Sequence, residues 1–307
     1  MRSLLDILPH SIGQELRLLK EAEWDQIEEI RIRTDRPIEL MQRGKPRFLS
    51  YRTTGEDASQ LLGRLSNYSM YTLEEELKQG YITISGGHRV GLAGKVIVEN
   101  GIVKGLRDIS SFNIRIAKEK VGIALPFLPY LYDEHWCNTL IIGPPQTGKT
   151  TLLRDIARLA STGTKAIPPK KTGIIDERSE IAGCIRGVPQ HQFGHRMDVL
   201  DACPKAEGLM MMIRSMSPEI MIVDEIGKRE DVQALLEAIH AGVTIIVSVH
   251  GYSLEDVYKR PSLKPLWELR VFERYIELNR KDGPGTIGRI YDQGGQEMKW
   301  RRGVDVC

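Results

Sequence analysis

Alternating apolar and polar side chains predict strands in the first third of the chain. Ile27–Arg33 alternates apolar with charged residues, as a half-buried strand does, and turns separate it from two further apolar segments, Ile38–Met41 and Phe48–Tyr51. Two amphipathic stretches, Glu56–Tyr68 and Thr72–Gln79, are predicted to be helices, and the second opens with a capping box. Together these elements indicate a mixed α/β domain.

The next segment, Tyr81–Ala117, consists of β-rich runs separated by glycines, which predicts hairpins with tight turns. Pro126 and Pro129 then fall in a short apolar segment without a clear period and mark a linker. We therefore expect an α+β domain over residues 1–122, a linker over residues 123–135 and a second domain over residues 136–307.

From Trp136 onward, strand-length apolar runs alternate with helical patterns, which favours a mostly parallel sheet with helices on both faces. The long segment Gly183–Pro204 shows little periodicity and is expected to be an irregular excursion over the functional face. The predicted strands are Asn138–Ile142, Thr172–Asp176, Glu219–Asp224, Val243–Val249, Phe272–Leu278, Ile287–Tyr291 and Met298–Arg301. The predicted helices are Thr151–Ala160, the methionine-rich Ala206–Ser215, Asp231–Ala241 and Leu254–Arg260.

Composition narrows the class of protein further. The net charge of +2 gives no global basic field that would by itself indicate nucleic acid binding. No apolar run approaches the ~20 residues that a membrane-spanning helix needs. The four cysteines lack metal-ligand spacing and are expected to be reduced thiols in a cytoplasmic protein.

The strongest chemical signal is a phosphate-binding loop of the pattern G-x-x-x-x-G-K-[ST] between a predicted strand and a predicted helix. In such a loop, backbone N–H groups and the helix N-terminus bind phosphate oxygens. The lysine reaches the β- and γ-phosphates and the following threonine is a ligand for Mg²⁺. The predicted nucleotide-binding residues are Gly143, Pro144, Pro145, Gln146, Thr147, Gly148, Lys149, Thr150 and Thr151, with Thr150 also a metal ligand.

Acidic residues follow two of the predicted strands, where ligands gather in an open α/β sheet. Asp224 directly follows an apolar strand and is predicted to bind Mg²⁺, and Glu225 is placed to polarise the attacking water. A second acidic box begins at Asp176, in which Glu177 is an alternative general base; the sequence does not decide between Glu177 and Glu225. His250 closes the last buried strand and is a candidate sensor of the γ-phosphate or its water.

Four motifs follow one another: the phosphate loop Gly143–Thr150, the acidic box Asp176–Glu180, the pair Asp224-Glu225 and a histidine box ending at His250. In this order they resemble the motifs of the hexameric ATPases of type II and type IV secretion and pilus assembly, within the RecA-like P-loop class. The segment MIRSMSPEIMIVDEIGKREDVQALLEAIHAGVTIIVSVHG is similar to their acidic and histidine boxes, although Asp224-Glu225 stands where Gly-Glu is usual. Such departures, together with IEEIRIRTDRP, GGHRVGLAGKV and SFNIRIAKE, most resemble the sporulation branch of this class. The resemblance covers nearly the whole chain.

The resemblance implies a RecA-like fold and a Mg²⁺-dependent ATPase that powers a multiprotein channel between mother cell and forespore. It further implies a homo-oligomer, of six subunits in a ring, with ATP held between the two domains. The expected partner is an integral membrane component of that channel, with the ATPase peripheral on the cytoplasmic side of the membrane. Direct nucleic acid binding is not expected.

In similar secretion ATPases, arginines of the N-terminal domain fold over the nucleotide. Arg89 and Arg115 best match that role, with Arg107 a weaker match, although a solvated basic face on a β-hairpin would need the same residues. Candidates for reaching a neighbouring subunit's site are Arg178, Arg186 and Arg214.

Two other functions are compatible with the motifs. RecA-like cores also drive nucleic-acid-dependent ATPases, and a local basic patch over Arg270–Arg280 and Lys299–Arg302 leaves that alternative open. A scaffold that binds ATP without hydrolysing it is the other alternative, against which both acidic pairs argue. The basic segments Lys259–Lys264 and Lys299–Arg302 are compatible with contact to a membrane partner or anionic lipid headgroups, or simply with a solvated surface.

Overall fold

The computed structural model describes residues 2–66, 81–117, 120–281 and 285–299. The chain forms two compact units: residues 1–118 with residues 183–190, and residues 119–182 with residues 191–307. A short segment from the middle of the chain therefore belongs to the first unit, where the Gly86 N–H lies 3.5 Å from Gln190 Oε1.

The first unit is built on a six-stranded antiparallel sheet. Its strands are β1 (Ile27–Arg33), β2 (Pro37–Gln42), β3 (Lys45–Arg52), β4 (Tyr81–Ile84), β5 (His88–Glu99) and β6 (Ile102–Arg115), and its helices are α1 (Arg2–Ile7), α2 (His10–Arg17), α3 (Glu21–Trp24) and α4 (Gly55–Leu65). The strand order is β3-β2-β1-β6-β5-β4. Because side chains alternate across a strand, Ile30 and Ile32 point into the core while Arg31 and Arg33 lie on the other face.

The long hairpin of β5 and β6 passes beyond the neighbouring strands. Gly94 marks an irregularity in the pairing, where a Cβ would lie 2.6–2.8 Å from backbone atoms of Arg107, Asp108 and Ile109. Asp108 adopts a left-handed conformation with φ +49°. Beyond that point most side chains of β5 are exposed, including Val96 and Val98.

The second unit is built on a seven-stranded sheet. Its strands are β9 (Thr139–Gly143), β10 (Thr172–Asp176), β11 (Met197–Asp201), β12 (Ile220–Val223), β13 (Thr244–His250), β14 (Arg274–Asn279) and β15 (Thr286–Asp292), and a small separate pair is formed by β7 (Tyr132–Asp133) and β8 (His135–Trp136). The strand order is β11-β10-β12-β13-β9-β14-β15, and neighbouring strands are parallel except for β14 and β15.

Helices cover both faces of this sheet. They are α5 (Leu128–Leu131), α6 (Lys149–Thr162), α7 (Lys205–Met216), α8 (Arg229–His240), α9 (Leu254–Tyr258) and α10 (Lys264–Glu268), with 3₁₀ turns at Leu125–Phe127 and Pro261–Leu263. Along β12, Met221 and Val223 pack with α7 and α8, whereas Ile220 and Ile222 pack with α6. Both faces are apolar because both are covered, as in α/β proteins of the doubly wound kind. The expected α/β class with a separate N-terminal sheet is confirmed.

Several local expectations need correction. Gly183–Pro204 is not irregular throughout, because its end contains the edge strand β11. The helix expected over Leu254–Arg260 ends at Tyr258. Met298, at the start of the last predicted strand, lies outside any strand, and its N–H donates to Ile290 O.

Other differences concern unpredicted helices, a predicted helix outside the described residues and the predicted linker. Residues 10–24 contain the helices α2 and α3, which the pattern did not predict. The helix expected over Thr72–Gln79 lies outside the described residues. Within the expected linker, Phe127 and Leu131 are buried in the core of the second unit. None of the helices in the described ranges is both long and apolar enough to span a membrane.

Candidate active site

The phosphate-loop motif connects β9 to α6, as the sequence predicts. All five residues of β9 are buried, and the loop turns through Gln146 (φ +62°) and Gly148 (φ +89°) into the first turn of α6. Gly143 has no room for a side chain, because a Cβ there would lie 2.5 Å from Thr147 Oγ1. The loop therefore needs its glycines to bring backbone N–H groups around one point.

Lys149 is held at the centre of this loop. Its Nζ donates to the carbonyl oxygens of Gly143 (2.8 Å) and Pro144 (3.0 Å) and lies 3.2 Å from His250 Nδ1. Burial lowers the pKa of the Lys149 ammonium, while the carboxylates of Asp224 and Glu225 act in the opposite direction. The loop thus holds a partly desolvated cation against its own carbonyl oxygens.

Asp224 lies at the end of β12 and is fixed by two hydroxyl groups. The Thr150 hydroxyl donates to Asp224 Oδ2 at 2.7 Å, and the Ser248 hydroxyl donates to Asp224 Oδ1. Ser248 is completely buried in β13 and also accepts the Glu225 N–H at 3.0 Å. A threonine hydroxyl and a carboxylate in contact form an oxygen donor set of the kind that Mg²⁺ prefers. The two predicted metal ligands, Thr150 and Asp224, are therefore brought together.

Glu225 lies beside Asp224 in a left-handed backbone conformation with φ +54°, which is uncommon for a non-glycine residue. Its carboxylate is bonded on both oxygens: Oε1 lies 2.9 Å from His250 Nε2 and Oε2 lies 3.1 Å from Arg178 Nη1. The side chain keeps about a third of its surface exposed. A positioned, accessible carboxylate of this kind is suited to accept a proton from water.

His250 connects Lys149 to Glu225. The two parallel strands β9 and β13 end together, with His250 opposite Gly143 in the register, which brings the imidazole to the loop. An ammonium can only donate hydrogen bonds, so Nδ1 accepts from Lys149 and the hydrogen on Nε2 points to Glu225. The imidazole therefore forms a hydrogen-bonded bridge between Lys149 and Glu225, the candidate base.

The second acidic box serves a different arrangement. Asp176 is buried, and its carboxylate accepts the N–H groups of Glu180, Ile181 and Ala182 at 2.8–3.0 Å. Burial raises the pKa of Asp176 to about 6, although the N–H groups of Ala182 and Glu180 lower it. Glu177 forms an ion pair with Lys205 at the start of α7. Asp176 thus shapes a turn, and Glu177 is engaged away from Glu225.

The loop and the strand ends enclose one crevice of about 390 Å³. It is lined by Pro145, Gln146, Gly148, Lys149, Thr150, Thr151, Arg178, Glu180, Asp224, Glu225 and His250. Gly143, Pro144 and Thr147 support the loop from outside this lining, and Glu177 is absent from it. Donor-rich walls with carboxylates on one side fit a triphosphate and its metal.

Three contributors were not assigned to the site by sequence reasoning. Ser248 has no predicted role, Arg178 is a candidate for a neighbouring subunit's site, and Arg280 is only the last residue of a basic segment. Arg280 donates to the carbonyl and the side-chain oxygen of Gln146, at 3.0 and 2.5 Å. No sequence motif marks these residues; the signal for Ser248 was its position two residues before His250.

The arginines expected to fold over the nucleotide belong to the first unit. Arg89 and Arg115 are directly paired across β5 and β6. The Arg89 guanidinium lies 4.0 Å from the ring centroid of Tyr81, and Arg115 Nε lies 3.8 Å from Glu29 Oε1. Arg186 lies in the segment of residues 183–190 that groups with the same unit. Their role toward a nucleotide stays a prediction.

The sequence matches a protein family and a known relative over nearly its whole length. The family described as "Sporulation stage III, protein AA" matches residues 2–298. Stage III sporulation protein AA of Bacillus subtilis (strain 168) is 68% identical over 307 residues, which is 100% of both chains.

Two solved structures share the fold. The Legionella pneumophila ATPase DotB is similar with a TM-score of 0.60 at 15% identity, over 88% of this chain and 76% of that chain. The pilus retraction motor PilT, solved with bound ADP, gives a TM-score of 0.58 at 16% identity, over 90% of this chain and 77% of that chain. At these identities the likeness shows that the fold is shared.

Proposed function

This chain belongs to the sporulation stage III, protein AA family, and from that premise we propose that it is a Mg²⁺-dependent ATPase of the secretion-motor type. The observation that supports this most is the meeting of the phosphate loop, the Thr150–Asp224 pair and Glu225 in one crevice. A structural turn before a helix would not need an acidic strand end in contact with its threonine.

Substrate binding is assigned to the loop and to Lys149. Backbone N–H groups at the start of α6 bind the phosphate oxygens, and Lys149 neutralises the β- and γ-phosphates. The contacts of Lys149 Nζ with the loop carbonyls of Gly143 and Pro144 support this assignment, because they keep the ammonium within the phosphate loop. Magnesium, when bound, neutralises charge on the phosphate oxygens, and Thr150 and Asp224 are the residues that would hold it.

Glu225 is our choice of general base. His250 and Arg178 hold its carboxylate in the crevice, while Glu177 is paired with Lys205. In this scheme Glu225 accepts a proton from the attacking water, and His250 orients the carboxylate. Arg89 and Arg115 are proposed to supply positive charge to the γ-phosphate.

At the level of assembly we propose a homo-oligomeric ring, of six subunits, that drives a channel complex during sporulation. Its partner would be an integral membrane protein of that complex. The support is family membership together with the fold of the DotB and PilT ATPases.

Phosphate release from ATP by purified protein, with Mg²⁺ or with EDTA, tests the enzymatic proposal. Lys149→Ala should lose nucleotide binding. Glu225→Gln should keep ATP binding and lower kcat about 10²- to 10⁴-fold, the range of a lost general base. Glu177→Gln is the matched control and should change kcat far less. Loss of turnover in Glu177→Gln with normal turnover in Glu225→Gln would move the base to Glu177, and wild-type protein that neither binds nor cleaves ATP would refute the proposal.

A further inference from the structure

A groove on the second unit, away from the crevice residues, is formed between α7 and α8 and has a volume of about 640 Å³. The helix α7 contributes Ala206, Glu207, Met210, Met211 and Arg214, and α8 contributes Glu230, Gln233, Ala234 and Glu237. On each helix these positions recur at helical spacing, so each presents one continuous stripe to the groove. We call this surface the α7–α8 groove.

The floor of the α7–α8 groove is apolar and adaptable. Met211 is 54% exposed, although its neighbour Met212 is buried in the core. Ala206 and Ala234 leave space between the two helices. Unbranched methionine side chains repack around different apolar partners, and they are common on surfaces that accept an amphipathic helix.

The rim of the α7–α8 groove is acidic. Three exposed carboxylates, Glu207, Glu230 and Glu237, face one guanidinium, Arg214. None of these four side chains forms an ion pair with another residue in the part of the chain that the structure describes. Their charge is therefore available to a ligand, and its balance is negative.

From this arrangement we infer that the α7–α8 groove binds a basic amphipathic helix of a partner protein. Apolar side chains of that helix would pack on Met210 and Met211, and its lysines or arginines would pair with the glutamates of the rim. An acidic or purely apolar segment does not match this rim.

The position of the α7–α8 groove gives such a partner a route to the crevice. The helix α7 leads directly into β12, which ends at Asp224, and α8 begins at Arg229, shortly after Glu225. Buried Asp231 at the start of α8 accepts the N–H groups of Gly227 and Lys228, which fixes the connecting turn. A bound helix would therefore lie on both elements that flank the acidic residues.

Fluorescence anisotropy with a labelled synthetic peptide tests this inference without any nucleotide. The probe is a leucine–lysine amphipathic helix of about 16 residues, long enough to follow the ~18 Å of each groove helix. Its counterpart carries glutamate in place of lysine on the same apolar pattern. We expect the lysine peptide to bind, more tightly at low ionic strength, and the glutamate peptide not to bind.

Matched variants locate the binding. Met211→Lys and Glu237→Lys should weaken binding at least tenfold. Met216→Lys on the same helix and Glu255→Lys on α9 add the same charges outside the groove and should not. Unchanged melting temperatures show that the variants are folded. Equal binding of both peptides, or equal effects of Met211→Lys and Met216→Lys, would overturn the inference.

Two further outcomes separate this inference from the proposed function. Lys149→Ala should bind the lysine peptide as the wild type does, so a failure of ATP binding leaves the α7–α8 groove intact. If light scattering shows that Met211→Lys dissociates a wild-type oligomer, the occupant is a second copy of this chain and the basic-helix partner is wrong.

Discussion

Ser248 ties the two acidic residues of the candidate site to each other. Its hydroxyl donates to the Asp224 carboxylate and accepts the Glu225 N–H, and the side chain is fully buried in β13. A buried hydroxyl with both partners satisfied holds a fixed orientation. The positions of the proposed metal ligand and of the proposed base therefore depend on one residue that contacts neither phosphate nor metal in our proposal.

Ser248→Ala is expected to lower kcat by about 10- to 100-fold, because a small misplacement of catalytic groups can cost about 10²-fold in rate. The affinity for ADP, which depends on the phosphate loop, should change little. Steady-state hydrolysis and ADP titration measure the two effects separately. Ser248→Thr keeps the hydroxyl and should recover part of kcat. Equal kcat values for Ser248→Ala and Ser248→Thr, or a loss of ADP affinity without a change in kcat, would contradict the positioning role.

Asp176 gives a pH dependence to stability. Burial raises its pKa to about 6 in the folded protein, against about 3.9 in an unfolded chain. Between these values the folded state binds the proton more tightly, so this group's contribution to stability is largest below about pH 4 and is lost as the pH rises to about 6. The full effect is on the order of 3 kcal/mol.

The variant Asp176→Asn isolates that contribution, since it cannot titrate. The melting temperature of the wild type minus that of the variant should fall as the pH rises from about 4 to about 6, and should be constant above pH 7. A difference that is independent of pH would show that Asp176 is ionised throughout, with its three backbone N–H groups outweighing burial.

Whether a site residue could be predicted depends on how far apart in sequence its contacts lie. Lys149 and Thr150 were predictable because the phosphate loop is a local motif, and Asp224 because an acid follows an apolar run. Arg178 bonds to Glu225 across 47 positions and Arg280 bonds to Gln146 across 134. Contacts of that separation depend on strand order, which hydrophobic periodicity does not encode.

At the scale of elements, the β5–β6 hairpin depends on a glycine at a close backbone approach. A Cβ at Gly94 would lie 2.6–2.8 Å from the backbone of the opposite strand. Gly94→Ala should therefore destabilise the first unit by about 1–3 kcal/mol, the usual cost of overpacking.

Gly105→Ala is the matched control in the same hairpin, because a Cβ at Gly105 meets no atom within 4 Å. Thermal unfolding of both variants, followed by circular dichroism, measures the difference. Equal melting temperatures for the two variants would show that the hairpin shifts freely at Gly94.

Strands that are buried on both faces were the easiest elements to predict. Ile220–Val223 is a continuous apolar run and Thr244–His250 is mostly apolar, so their type follows from length and branching. The sequence pattern does not predict the edge strand Met197–Asp201, because all five residues are half-buried and no alternation is visible. This segment is a strand because it pairs with β10. The segment of residues 183–190 groups with the first unit through contacts that no local pattern carries.

At the scale of the whole molecule, we expect nucleotide binding to favour assembly of the proposed ring. A nucleotide that binds the assembled state more tightly than the monomer shifts the equilibrium toward assembly by mass action. A closed ring of six 34.7-kDa chains has a mass of about 208 kDa. Size exclusion with light scattering should therefore show a shift toward that mass when ATP and Mg²⁺ are added to the wild type.

Two variants separate binding from hydrolysis in this assembly. Glu225→Gln leaves the phosphate loop and the Thr150–Asp224 pair unchanged, so it should assemble with ATP and remain assembled because turnover is slow. Lys149→Ala removes the buried ammonium that neutralises the phosphates and should stay at the mass seen without nucleotide. Assembly of Lys149→Ala to the same extent as Glu225→Gln would mean that nucleotide does not drive the ring, and a wild type that remains a monomer with ATP and Mg²⁺ would contradict the ring itself.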